Sequence, residues 1–180
     1  MTDQDIPSGK NTHVPQADGA PASSAALSAA PEASPQFSVS IDWVGEGSGC
    51  GYAHVTQDSF AIPIGGAKEL GGCGKGANPE ELLLAAVGSC FAATWGIFLK
   101  KLAIPYPEPS LRLTGELGKD PAGGFRMTRV TIFARVPAAL LASQREPIEK
   151  TLVLSEKYCI ISKVAKAAMP LDVVLEEMPG

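Results

Sequence analysis

The chain is 180 residues long, 45% hydrophobic, and carries 15 Lys and Arg against 19 Asp and Glu, for a net charge of −4. This length and apolar content suit one globular domain with a sizeable core, and the acidic balance without a basic cluster argues against nucleic acid or an anionic membrane surface as the main partner. With four cysteines, none in Cys-x-x-Cys spacing, and two histidines, His13 and His54, a zinc site is not expected.

Met1 to about Gln36 is rich in Pro, Ala, Ser, Gly and Asp and shows no periodicity. Such a stretch cannot bury enough surface to offset its ordering entropy and is expected to be disordered, leaving residues 37–180 as the folded domain. It lacks a basic region followed by an apolar run, so a cytoplasmic protein is expected, with Cys50, Cys73, Cys90 and Cys159 as reduced thiols.

From Phe37, FSVSIDWV alternates apolar and polar residues, the period of a half-buried strand with Phe37, Val39, Ile41 and Trp43 on one face. The glycine-rich GEGSGCG is a turn, and Tyr52 to Thr56 and Ser59 to Ile64, joined at Gln57-Asp58, complete an antiparallel three-stranded meander. The loop GGAKELGGCGKG (Gly65 to Gly76) satisfies neither the Walker nor the dinucleotide fingerprint, and its glycines are read as close backbone approach and positive φ.

Ala77 to Leu102 is the longest apolar run. Asn78 is a good N-cap, Pro79 suits the first helical position, and Glu81 can close a capping box. Between Leu82 and Leu99 only Ser89 and Thr94 are polar, so the helix is expected to be buried on all sides. It is long enough to span a bilayer, but Gly88, Gly96 and the lack of a second such segment favour a core helix.

Beyond the prolines at 105, 107 and 109, Leu111 to Gly118 and Phe125 to Val136 alternate and form a hairpin. A second helix is expected from about Ala138 to Leu154, kinked or divided by Pro147, with its second piece from about Glu146. Cys159 then opens a short helix capped by Ser155 or by Cys159 itself, and Leu171 to Glu177 is the last strand. The order β-β-β-α-β-β-α-α-β, without a repeated βαβ unit, predicts an α+β fold.

Cys90 in an apolar helix is a small hydrophobe unless a second thiol serves it. Cys159 lies at a helix start, where the dipole favours a thiolate. A two-cysteine thiol enzyme needs one attacking thiolate and one resolving thiol, and this pair could supply them. Cys50 and Cys73, beside no sequence-visible base, are read as ordinary loop cysteines.

Asn78-Pro79-Glu80-Glu81-Leu82, Ala85-Ala86 and Ser89-Cys90-Phe91, followed by Glu156-Lys157-Tyr158-Cys159-Ile160-Ile161-Ser162, resemble the OsmC/Ohr family of thiol-dependent peroxidases. In element order the resemblance runs from Phe37 to Glu177. It implies an intertwined homodimer in which strongly curved antiparallel sheets wrap two central helices. It further implies Cys90 as peroxidatic thiol, Cys159 as resolving thiol, Glu80 as the acidic member of the site, no metal or cofactor, an organic hydroperoxide as substrate and an external dithiol as reductant.

Glu80 and Cys90 are ten residues apart, about 15 Å along a helix, so Glu80 is expected to act from the partner subunit. Phe91, Trp95 and Phe98 are expected to wall a pocket that favours hydrophobic hydroperoxides. The family's activating arginine follows the first strand, yet Gly45 to Tyr52 contains none, which predicts a raised Cys90 pKa unless Lys75, Arg112, Arg126 or Arg129 substitutes. The alternative reading is a non-catalytic stress protein that binds a small hydrophobic ligand at the dimer interface.

Overall fold

The computed structural model describes residues 34–56, 59–106 and 108–179. Its elements are β1 (Ser40–Val44), β2 (Cys50–Val55), β3 (Phe60–Gly65), a 3-10 turn (Lys68–Leu70), α1 (Pro79–Lys101), β4 (Ser110–Lys119), β5 (Phe125–Pro137), α2 (Ala138–Tyr158), α3 (Ile160–Ala168) and β6 (Leu171–Met178). This is the expected element order and the expected α+β class, and all of these elements belong to one compact unit, Ser38–Gly180. The expected disordered stretch lies outside the described residues except for 34–36, which hold no regular element, and the Gln57-Asp58 junction lies outside them too.

β1, β2 and β3 form an antiparallel sheet in sequence order, with Trp43 opposite Gly51 and Tyr52 opposite Pro63. A short backbone clasp joins it to the approach to α1, Gly65 N–H to Ala77 O at 3.1 Å and Ala77 N–H to Pro63 O at 2.9 Å. The strand begins only at Ser40, so Phe37 and Val39 precede it, and the expected half-buried face is not observed: all of β1 is exposed, Ile41 at 54% and Trp43 at 41%. Nothing within this chain covers it among the described residues.

β4 and β5 are an antiparallel pair with an irregularity at Glu116/Leu117. Their turn is held by Asp120, whose carboxylate accepts the Ala122 N–H at 2.8 Å. β6 adds to β5 in parallel, from Val130 opposite Leu171 to Pro137 opposite Met178, so the expectation of antiparallel sheets fails for this pair. The reason is topological: α2 and α3 form the crossover that a parallel connection needs.

At the start of α1 the capping box is closed. Asn78 Oδ1 accepts the Glu81 N–H at 2.7 Å, and Glu81 Oε2 accepts the Asn78 N–H at 3.0 Å. Val87, Phe91, Trp95 and Leu99, four residues apart, lie on one stripe and join Val130, Ile132, Ala134 and Val136 of β5 with Leu141, Ile148 and Leu152 of α2 in the core. Gly88 lets β4 approach closely, since a Cβ there would stand 2.8 Å from Leu113 Cδ1. Burial on all sides is not observed, because Ala85, Ala86, Ser89, Ala93 and Ile97 (54%) are exposed. α1 is long and apolar enough to cross a bilayer, but its stripe is seated in protein.

Pro147 breaks α2 as expected, with the fault falling at Gln144 (φ −133°, ψ 19°). A proline has no N–H for the carbonyl four residues earlier, that of Ser143, and its ring crowds that carbonyl. The second piece then runs on to Tyr158, past the expected end at Leu154.

Candidate active site

The junction of α2 and α3 is set by a buried polar stripe on α2. Thr151, Ser155 and Cys159, one helical turn apart from each other, are all fully buried. Trp95 of α1 donates its indole N–H to Thr151 Oγ1 at 2.8 Å, and the Thr151 hydroxyl donates to the Ile148 carbonyl at 2.6 Å. Ser155 Oγ donates to the Thr151 carbonyl at 2.6 Å, and the Cys159 N–H donates to the Ser155 carbonyl at 2.8 Å. There the chain leaves helical geometry for one residue (Cys159, φ −62°, ψ 121°) and α3 begins. Of the two expected caps, Cys159 is the one: its Sγ accepts the Ser162 N–H at 3.4 Å.

Cys90 lies half-buried on α1, against this junction. Burial pushes its thiol pKa up, but the backbone of Ile161, the Cys159 thiol, the backbone of Ile160 and the Thr94 side chain pull it down further, leaving it below the ordinary thiol value. Thr94 also donates its hydroxyl to the Cys90 carbonyl at 2.8 Å. The expected rise of the Cys90 pKa is therefore reversed. Sequence placed the helix dipole on Cys159, whereas the N-terminal amides of α3 act on Cys90, supplying partial positive charge without a cation.

The four candidate cations are engaged elsewhere or absent from this set. Arg112 bonds Glu176 at 2.9 Å and lies 3.7 Å over the Phe133 ring. Arg129 pairs with Asp172, and Arg126 on β5 and Lys75 in the glycine loop are exposed. Among the described residues, none is a group that shifts the Cys90 pKa.

Glu80 occupies the first turn of α1, with Oε2 buried and without a hydrogen-bond partner among the described residues. It is not brought to Cys90 within the chain, since the helix separates them by about 15 Å. The expected pocket walls are also corrected. Phe91 and Trp95 are fully buried in the core, and Phe98 packs on Tyr158 with ring centroids 5.7 Å apart. A cavity of about 360 Å³ lies instead on another side of α1, lined by Leu84, Ala85, Gly88, Ser89, Leu111 and Leu113 among others.

Cys50 and Cys73 are joined in a disulfide, with Cα atoms 6.2 Å apart, while Cys90 and Cys159 are free. The expectation of four reduced thiols is thus corrected for this pair. They are 23 residues apart and meet because the glycine loop doubles back onto the end of β3. Among the described residues, no group of three or more His, Cys, Asp and Glu is placed to hold a metal.

A family model described as OsmC-like protein matches residues 72–174. The chain is similar to organic hydroperoxide resistance protein-like 1 of Staphylococcus epidermidis, 30% identical over 68% of this chain and 86% of that one. Its namesake in Staphylococcus saprophyticus is 31% identical over 66% and 83%. Among solved structures, the fold is shared with an organic hydroperoxide resistance protein OsmC from Legionella pneumophila (TM-score 0.64, 20% identity, 79% of this chain and 99% of that one). It is likewise shared with the organic hydroperoxide resistance protein OhrB of Bacillus subtilis (TM-score 0.57, 23% identity, 79% and 98%).

Proposed function

The chain belongs to the OsmC-like family, and from that premise we propose that it is a thiol-dependent peroxidase that reduces organic hydroperoxides through Cys90 and Cys159. The Cys90 thiolate attacks the terminal oxygen of the hydroperoxide. The O–O bond breaks, the sulfur is oxidised by two electrons to a sulfenic acid, and the leaving alkoxide takes a proton from solvent to become the alcohol. The Cys159 thiol then attacks the Cys90 sulfur, forming a disulfide and releasing water. An external dithiol returns the pair to two thiols by exchange.

One observation carries this reading: free Cys90 of α1 lies against the turn that bears free, buried Cys159, and the Ile161 backbone, the Cys159 thiol and the Ile160 backbone favour its thiolate. The same groups that favour the attacking thiolate belong to the turn that bears the resolving thiol. Consumption of cumene hydroperoxide with dithiothreitol should collapse in Cys90→Ser, and equal rates in wild type and variant would refute the assignment.

A homodimer is part of the proposal. It is supported by two uncovered apolar surfaces, the Ile97 side of α1 and Ile41 and Trp43 of the first sheet, and by the buried Glu80 carboxylate oxygen, which has no hydrogen-bond partner among the described residues. In a symmetric pair Glu80 of one copy acts at Cys90 of the other. The reading locates the work in the cytoplasm, where dithiol reductants operate. A non-catalytic ligand-binding role draws support from the apolar cavity beside Ser89. Native mass spectrometry separates the two: a co-purified apolar ligand on a protein without peroxide turnover favours binding.

A further inference from the structure

The second pair of cysteines is built into a different part of the chain. β2 begins at Cys50 opposite Gly65, and the loop after β3 returns Cys73 to the same point. A Cβ on Gly65 would collide with Cys73 Sγ and touch Cys50 Sγ at 3.4 Å, so the disulfide lies against the strand where only glycine leaves room.

Within loop 66–76 the chain is held by its own backbone, Gly72 N–H to Ala67 O at 2.8 Å and Gly74 N–H to Gly66 O at 3.0 Å. Its one large apolar side chain, Leu70, is 48% exposed. The loop thus has no apolar anchor, and beyond its chain continuity with β3 its covalent cross-link to the sheet is the disulfide to Cys50 of β2. Both cysteines are only half-buried, which leaves the bond open to small thiols. The Lys75 N–H already faces Cys73 Sγ, ready to receive a thiolate there.

We propose that Cys50 and Cys73 are a second thiol–disulfide couple, separate from Cys90 and Cys159, which locks loop 66–76 when oxidised and releases it when reduced by a dithiol. The reductant's thiolate attacks Cys50 Sγ; the Cys50–Cys73 bond breaks, a mixed disulfide forms at Cys50, and Cys73 leaves as the thiolate that the Lys75 N–H receives. The reductant's second thiol then displaces Cys50. Two electrons and two protons pass to the pair, and the reductant becomes a cyclic disulfide. This loop delivers the chain to Asn78 and the first turn of α1, so its order is set by a redox event remote in sequence from Cys90.

The test uses the native 180-residue chain, oxidised with glutathione disulfide and then exposed to graded dithiothreitol. Thiols are trapped with N-ethylmaleimide and assigned by peptide mass spectrometry, alongside hydrogen exchange. The expected result is that Cys50 and Cys73 become labelled together at millimolar dithiothreitol without denaturant, while amide exchange in 66–76 accelerates at least tenfold. Cys50→Ser should show the fast exchange with or without reductant. Labelling of both cysteines in the oxidised protein, resistance to dithiothreitol until denaturant is added, or unchanged exchange on reduction would each overturn the proposal. None of these outcomes depends on peroxidase activity.

Discussion

Trp95 and Thr151 meet in full burial, indole N–H on hydroxyl oxygen at 2.8 Å, and this contact joins the middle of α1 to the middle of α2. Thr151→Val keeps the shape, removes the acceptor and leaves the indole N–H unpaired in the core. The expected loss is about 1–3 kcal/mol in urea unfolding. Because the same stripe leads to the Cys159 N–H, the variant should also move the Cys90 ionisation upward. Iodoacetamide labelling across pH reads that second effect, and an unmoved midpoint in a destabilised variant would deny the stripe any part in aiming α3.

The pH dependence of Cys90 follows from the direction of its shift. A lowered thiol pKa means that thiolate persists to lower pH in the folded chain than in the unfolded one. The stabilisation it brings is present above the unfolded-state pKa and is lost as pH falls through the folded value. Alkylation of Cys90 should therefore show a midpoint below that of a free thiol, about 8.5. Cys159→Ala, which removes one of the groups holding the thiolate, should raise that midpoint.

Asn78→Ala opens the capping box at the start of α1, leaving the Glu81 N–H without its side-chain acceptor. The expected cost is about 1 kcal/mol, measured as a lower thermal midpoint, and Asn78→Asp should retain most of the stability. Equal midpoints for all three proteins would mean that the box contributes nothing.

Ile97 tests the proposed assembly. Wild type should sediment as a dimer, and Ile97→Asp, which places a charge in an apolar interface, should weaken association by a factor of ten or more. A wild-type monomer at micromolar concentration would contradict the assembly outright.

Much of the frame was legible because it rests on local chemistry. The Asn-Pro-x-Glu start and the cap at Cys159 each depend on residues within a few positions of one another. What escaped depends on backbone groups or distant partners. The influence on Cys90 comes from the amides of Ile161 and Ile160, and an amide has no letter in a sequence, whereas a cation does. The Cys50–Cys73 bond needed the return path of a glycine loop, which no spacing motif encodes. Burial of α1 was overestimated because an apolar composition says how much surface must be covered and not whether the same chain covers it.

The parallel pairing of β5 with β6 has a temporal meaning. Cys159 lies inside the crossover between those strands, so the turn that conditions Cys90 is bracketed by residues that meet only when Leu171–Met178 docks beside Val130–Pro137. During synthesis α1 emerges with its thiol long before that closure, and pairings of such long range form late. The nascent chain therefore carries Cys90 without the Ile161 and Ile160 backbone and the Cys159 thiol that lower its pKa until the crossover has been made and packed against α1.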